Sequence, residues 1–489
     1  MKNKFYQMGL ITLAIWLYSC SSEEVVGPNI LFVITDDQSW IHTSFAGSPE
    51  VSTPNFDRIA NAGIYFSNAY ASAPTCTASR SSILAGQHFW RLGEAGVLWG
   101  QYDSRIVNYQ AILSDAGYHT GYTGKGWGPG RAIDGPPVGQ EYNARTTIPA
   151  STQISAIDYT TNFEDFLADK PSDVPFSFWL SPFEPHRPYT VGSGQGNDID
   201  VANITVPGFL PDTEVIRQDM ADYYLEIQAQ DEALGEILNK IEQHGLLENT
   251  MIVVTSDNGM PFPRAKSTNY EYGVRVPLAI SWAGKINPRY ESAAIVNLSD
   301  LAPTFLKSAG LEVPNVMTGR NLLPLLLDES QTQSMSEVDF SYTVTGFERH
   351  VLNARENNQT YPIRALHTKD FVYIRNYASD RWPAGDPPAF RDIDGTSPSK
   401  TEVLGNAEYL EITTAKRPSE ELYNLLNDPY QLNNLAALPE FEQTKLVLAD
   451  RLQQVLAESE DPVVSGNVDT FNQYPYFGAT DPPSTAVNN

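Results

Sequence analysis

Asn29-Ile30-Leu31-Phe32-Val33-Ile34-Thr35-Asp36-Asp37 is the stretch on which the reading of the whole chain turns. Its apolar residues follow one another without alternation, so no face is left for water. It reads as a strand buried on both sides, as in a parallel sheet. Two aspartates follow at its carboxyl end, where open α/β sheets place their sites. A second run of the same kind, Thr250-Met251-Ile252-Val253-Val254-Thr255, ends in Ser256-Asp257-Asn258-Gly259. Taken singly, Asp-Asp or Asp-Asn-Gly is equally a turn or a helix cap.

Between and after these runs, strands alternate with helices. Thr53-Pro54 offers a cap and a first-turn proline to a helix that Gly63 stops. A helix is expected near Ile106–Ala116, strands near Tyr118–Thr123 and Phe176–Leu180, and a long amphipathic helix from about Thr213 to Gln243. Val276–Trp282 reads as a strand and Ser299–Gly310 as a capped helix. This order predicts an α/β fold with a large, mostly parallel sheet sandwiched by helices. Past about residue 330 the pattern changes. Ser341–Thr345 and Phe371–Arg375 read as short strands, Trp382–Thr401 as a Pro/Asp/Gly-rich loop, and Glu440–Glu458 as a final helix. A smaller C-terminal α+β subdomain follows from this. The expected organisation is 1–19 leader, 20–28 linker, 29–335 main α/β domain, 336–460 subdomain and 461–489 loose tail.

The chain has 489 residues, with 32 basic against 59 acidic side chains and a net charge of −27. Such acidity excludes nucleic acid as a partner, because phosphate binding needs clustered Lys and Arg. Hydrophobic content of 41% supplies a core, which excludes global disorder. Two cysteines build neither a disulfide framework nor a four-thiolate zinc site.

Those two cysteines sit in contrasting contexts. A basic start (Met1-Lys2-Asn3-Lys4) and a short apolar run from Met8 to Tyr18 lead into Leu17-Tyr18-Ser19-Cys20. The run is too short for a membrane-spanning helix of about 20 residues. It resembles a bacterial lipoprotein signal, the other reading being a secretory peptide with an incidental cysteine. The resemblance implies lipidation at Cys20, a lipid anchor in the membrane, and an exported protein in the periplasm or at the cell surface.

Cys76 instead lies among polar neighbours, in Pro74-Thr75-Cys76-Thr77-Ala78-Ser79-Arg80, with Leu84 and Gly86 downstream. This arrangement resembles the signature of the type I, formylglycine-dependent sulfatases of the alkaline phosphatase superfamily. Further elements agree from about Asn29 to Ala436: Gly124-Lys125; Pro185-His186-Arg187-Pro188; Lys266 before Tyr270-Glu271-Tyr272-Gly273-Val274-Arg275-Val276-Pro277; and Glu421-Leu422-Tyr423-Asn424. The resemblance implies that a maturase or formylglycine-generating enzyme converts Cys76 to formylglycine. It implies Ca²⁺ held by Asp36, Asp37, Cys76, Asp257 and Asn258, cations Arg80, Lys125 and Lys266 for the sulfate, and His186 as acid. Sulfate-ester cleavage needs such groups: a hard cation takes oxygen ligands, and positive charge absorbs what develops in the transition state. Ser256–Pro263 most resembles the heparan N-sulfatase (sulfamidase) branch, and a sulfated carbohydrate is the implied substrate.

One departure stands out. Where such proteins carry a histidine two residues after the lysine, this chain has Trp127, whose indole cannot act as a base. His88 is the candidate replacement by sequence proximity, and His119 a weaker one. Hydrolysis of phosphate or phosphonate esters, and a non-catalytic glycan-binding lipoprotein, are the alternative functions.

Overall fold

The structure, a computed structural model, describes residues 27–149, 151–288, 290–327 and 340–478. Cys20, the 1–19 leader and the 335/336 domain boundary lie outside them.

The main sheet is built from β1 (Asn29–Thr35), β2 (Ile64–Tyr70), β3 (His119–Gly124), β4 (Phe176–Ser181), β5 (Thr250–Ser256), β6 (Leu278–Trp282) and β7 (Tyr290–Asn297). Their order across the sheet is β7-β2-β6-β5-β1-β4-β3, with Gln140–Glu141 at the β3 edge and Arg275–Val276 beside β2. β1 pairs in parallel with both β4 and β5, and β6 is antiparallel to β5 and β2. The mostly parallel sheet is thus as expected. β6 starts at Leu278 rather than Val276, after Pro277, which has no N–H for the ladder.

β1 lies at the centre, and its side chains divide between two cores. Ile30, Phe32 and Ile34 pack on one face with Leu301 and Phe305, while Leu31 and Val33 pack on the other with Phe163, Phe178 and Leu234. That division is why the run shows no alternation. Helices α1 (Pro54–Ala62), α2 (Cys76–Ala85), α3 (Tyr159–Asp169), α4 (Glu214–Gln243) and α5 (Leu301–Ser308) cover the two faces.

The C-terminal part forms a second, antiparallel sheet of β8 (Tyr342–Phe347), β9 (Ile363–Thr368), β10 (Phe371–Asn376) and β11 (Glu420–Asn424). Helix α6 (Glu442–Glu458) packs Leu452 and Leu456 on it, together with Phe89 and Trp90 from the main unit. The expected loop over Trp382–Thr401 gives way at Pro398 to a helix, Pro398–Gly405, which Ser397 caps by accepting from the Lys400 N–H. The loose tail expected from 461 is a correction. Phe471 is 1% exposed, and Asp461 pairs with the fully buried Arg364. Residues 461–478 are packed, and those beyond lie outside the described residues.

Candidate active site

Strand register brings the polar pairs together. Thr35 stands opposite Ser256, so Asp36-Asp37 and Asp257-Asn258 emerge side by side from β1 and β5. The Asp37 N–H donates to Asp257 Oδ1 at 3.1 Å, and Asn258 Nδ2 donates to Asp37 Oδ1 at 2.8 Å. Asp37 has φ +74°, a left-handed conformation that turns the chain sharply at the strand end. On the other side of β1, Gly124 stands opposite Ser181. Gly124 has φ +85°, and a Cβ there would lie 1.9 Å from the Ser181 carbonyl oxygen, so only glycine ends β3 this way. The turn delivers Lys125 to Asp36, with which it forms an ion pair.

α2 enters this cluster by its N-terminus. Cys76 is 1% exposed, and its Sγ lies 3.4 Å from Asp36 Oδ1. Burial, and then the Asp36 charge, push its thiol well above the ordinary range, so it stays protonated. One turn on, Arg80 is fully buried. Its Nε donates to Asp257 Oδ2 at 2.8 Å, and its Nη1 bonds Ser181 Oγ and, at 2.6 Å, the Gly126 carbonyl. It supports Asp257 from below and does not line the open cavity.

Lys266 completes the cluster, its Nζ shared between Asp37 Oδ2 at 2.7 Å and Asp394 Oδ2 at 2.8 Å. Burial opposes the charges of Lys125 and Lys266, but Asp36 for the first and Asp37 for the second outweigh it and hold both as ammonium ions. Burial also opposes the charge of Asp36, yet Lys125, His186, Arg80 and Lys266 hold its carboxyl well below the usual range. Asp257 goes the other way. Burial and the nearby Asp36 push it up to about 6. Four residues, Asp36, Asp37, Cys76 and Asp257, each bring a ligand atom within 4.8 Å of the others. The buried Asn258 Oδ1 has no hydrogen-bond partner. Clustered carboxylates with one raised pKa and an orphan amide oxygen fit a hard, oxygen-loving cation.

Above them opens a cavity of about 480 Å³. Asp36, Cys76, Lys125, Lys266 and His186 line it, with Trp99, Trp127 and Phe183 as its apolar wall. His186 Nε2 lies 3.8 Å from Asp37 Oδ2, and its Nδ1 is held by the Arg187 carbonyl. Trp127 donates its indole N–H to Ser81 Oγ at 2.8 Å.

The two other histidines are not here. His88 lies past the C-terminus of α2, and a helix of ten residues spans about 15 Å. It stacks on Trp90 and lines a separate cavity with Arg320 and Glu458; burial, and then Arg320, push it down to about 3. His119 begins β3, at the opposite end of the strand from Lys125, and stacks on Phe166. In their place the structure brings His350 and Asp394, which the sequence reading missed. Both line the cavity, and His350 Nε2 meets Asp394 Oδ1 at 2.8 Å. His350 Nδ1 pairs with the Thr75 hydroxyl at 3.0 Å, which explains why Thr75 leaves α2 without a side-chain cap.

A parallel sheet with carboxylates at adjacent strand ends, a buried cysteine on a helix N-terminus and locked lysines around them defines a hydrolase of anionic esters. Residues 28–311, more than half of the chain, match the Sulfatase family, and residues 265–386 match "N-sulphoglucosamine sulphohydrolase, C-terminal". The chain belongs to the sulfatase family and is a sulfuric ester hydrolase, so the non-catalytic reading falls away. It is similar to an "Ulvan-active sulfatase" of Formosa agariphila, 24% identical over 94% of this chain and 81% of that one. It is also similar to the human "N-sulphoglucosamine sulphohydrolase", 27% identical over 89% of this chain and 91% of that one. Among solved structures, a protein in complex with its substrate D-glucosamine-2-N,6-O-disulfate superposes with a TM-score of 0.65 at 22% identity. That match covers 89% of this chain and 98% of the other.

Proposed function

We propose that this protein hydrolyses sulfate groups from a sulfated carbohydrate, using a formylglycine derived from Cys76 and a calcium ion. One observation carries the reading: Lys125 and Lys266, both held as ammonium ions by buried carboxylates, flank Cys76 in a single cavity. Fixed cations of this kind bind the sulfate oxygens and take up charge in the transition state without reorganising. Asp36, Asp37, Asp257, Asn258 and residue 76 would hold the calcium, which supplies Lewis acidity toward the sulfate oxygens. A protonated, buried thiol is a poor nucleophile, whereas a hydrated aldehyde at residue 76 would offer oxygen instead. His186, 38% exposed on its side chain and facing the cavity, is placed to hand a proton to the leaving oxygen.

The carbohydrate class is supported by the names of the relatives, which act on ulvan and on N-sulphoglucosamine. The match of residues 265–386 to the sulphohydrolase C-terminal family supports an N-sulfated amino sugar as the second reading. The same proposal includes Cys20 as a lipid anchor, with the protein exported to the periplasm or cell surface. Its partner in maturation is the enzyme that oxidises Cys76.

Sulfate release from defined O- and N-sulfated saccharides tests the function, alongside the mass of the Cys76 peptide from the native host. Matched phosphate and phosphonate esters serve as controls. An unmodified thiol in an inactive protein, or a clear preference for the phosphorus esters, would sink the reading.

A further inference from the structure

The catalytic cavity does not end at His186. A second cavity of about 430 Å³ adjoins it, and His186 and Asp394 line both. Its size is within the range of about 300–1,000 Å³ typical of ligand clefts. One wall is the segment that follows β4, Arg187 to Val191; the other is Gly395 to Pro398, leading into the helix that Ser397 caps.

The floor is rigid. The Arg187 guanidinium forks onto both oxygens of Asp219 at 2.8 and 2.7 Å and lies 4.6 Å from the rings of Tyr189 and Phe262. Asp222 is fixed by the Gly192 and Gly194 N–H groups at 3.0 and 2.8 Å. Hydroxyls and a carboxylate beside an apolar face of Pro188 and Val191 are the features that recognise a sugar ring, polar at its edge and apolar on its faces.

Charge narrows the occupant. Arg187 is spent on Asp219, and Asp394 on Lys266 and His350. Asp222 has no cationic partner among the described residues, and the lining offers no cation besides Arg187 and His186. An anionic ring here would face Asp222, and beyond the paired Arg187 the lining would offer it only His186, which also lines the catalytic cavity.

Resting on the sulfated-saccharide reading above, we propose that this second lobe binds the sugar residue next to the sulfated one. It selects a neighbour without a carboxylate or sulfate. Asp394 stands at the waist between the two rings.

The test uses the mature protein with 4-nitrophenyl sulfate, a sulfated monosaccharide it cleaves, and two disaccharides carrying that unit, one with a neutral and one with a uronic neighbour. The neutral disaccharide should exceed the monosaccharide in kcat/KM about tenfold, and the uronic one should gain less. Val191, 75% exposed on the rim, takes substitution without disturbing the core. Val191→Trp should bring the neutral disaccharide-to-monosaccharide ratio toward one, and Val191→Arg should favour the uronic substrate. A ratio of one in the unaltered protein, an unchanged ratio in Val191→Trp, or preference for the uronic neighbour would overturn the lobe alone. Sulfate release from 4-nitrophenyl sulfate but from no saccharide would overturn the saccharide reading and this proposal with it.

Discussion

Arg80→Met removes a buried cation that holds Asp257, Gly126 and Ser181. Methionine keeps much of the apolar stem but neither the charge nor the donors. Stripping a buried ion of its partner costs about 3–5 kcal/mol when the charge has no escape. Asp257 has one, because burial and Asp36 already push it up to about 6. Once Arg80 is gone its pKa rises further, and binding a proton at pH 7 instead of holding the charge costs about 1.4 kcal/mol per pH unit above 6. The lost bonds to Gly126 and Ser181 add about 1 kcal/mol each. In calcium-free protein the expected loss is therefore about 2 kcal/mol at pH 5.5, where Asp257 is largely protonated in both proteins, and about 3–4 kcal/mol at pH 7.

The sign follows from linkage. A carboxyl with a raised native pKa holds a proton that the unfolded chain releases, so stability falls as pH rises toward the native pKa. The Asp257 contribution stops falling near 6 in the unaltered protein but continues to fall in the variant, so the gap between them widens over about pH 6 to 8. Urea unfolding in EGTA, followed by tryptophan fluorescence at several pH values, measures the gap. A loss independent of pH, or one below about 1 kcal/mol at pH 8, would refute the assignment of Arg80 as the counter-charge of Asp257.

Cys76→Ala should abolish sulfate release while leaving the melting temperature within a few degrees, since it removes one buried sulfur; turnover within tenfold of the unaltered protein would contradict the nucleophile assignment. Chelating calcium should lower stability by about 2.7 kcal/mol relative to a hundredfold excess over Kd, and thermal melts with and without added Ca²⁺ measure this. Asp394→Asn takes from Lys266 one of its two carboxylates and should lower kcat/KM about tenfold on every sulfate ester, 4-nitrophenyl sulfate included. Trp127→His forfeits packing against Tyr102 and the bond to Ser81, with an expected loss of about 2 kcal/mol in urea unfolding.

The main sheet was legible because its central strands are buried on both faces, so unbroken runs such as Ile30–Ile34 admit little else. The metal-site candidates were legible for the related reason that they end those runs, and parallel register brings such ends together. His350 and Asp394 left no local mark. Each belongs to an irregular stretch of the C-terminal part, and their meeting with Thr75 and Lys266 depends on how the second sheet docks. The choice of His88 failed because proximity in sequence ignored the length of the intervening helix, which carries residue 88 away from residue 76. The helix at Pro398 was readable from its Ser-Pro start, but the surrounding Pro, Asp and Gly outweighed that signal. The tail from 461 is polar and looked loose; ion pairs of Asp461 to Arg364 and of Asp469 to Arg381, with the buried side chain of Phe471, hold it down.

Because His350 and Asp394 come from the last third of the chain, the cavity over residue 76 has no complete wall until that part has been made and docked. Cys76, 1% exposed in the finished fold, is open to a modifying enzyme only before then. Under the proposed conversion of Cys76, oxidation of the thiol and closure of the site are thus competitors in time. Sequence changes that hasten docking of the second sheet would leave a larger share of molecules sealed with an unconverted cysteine, correctly folded and inert.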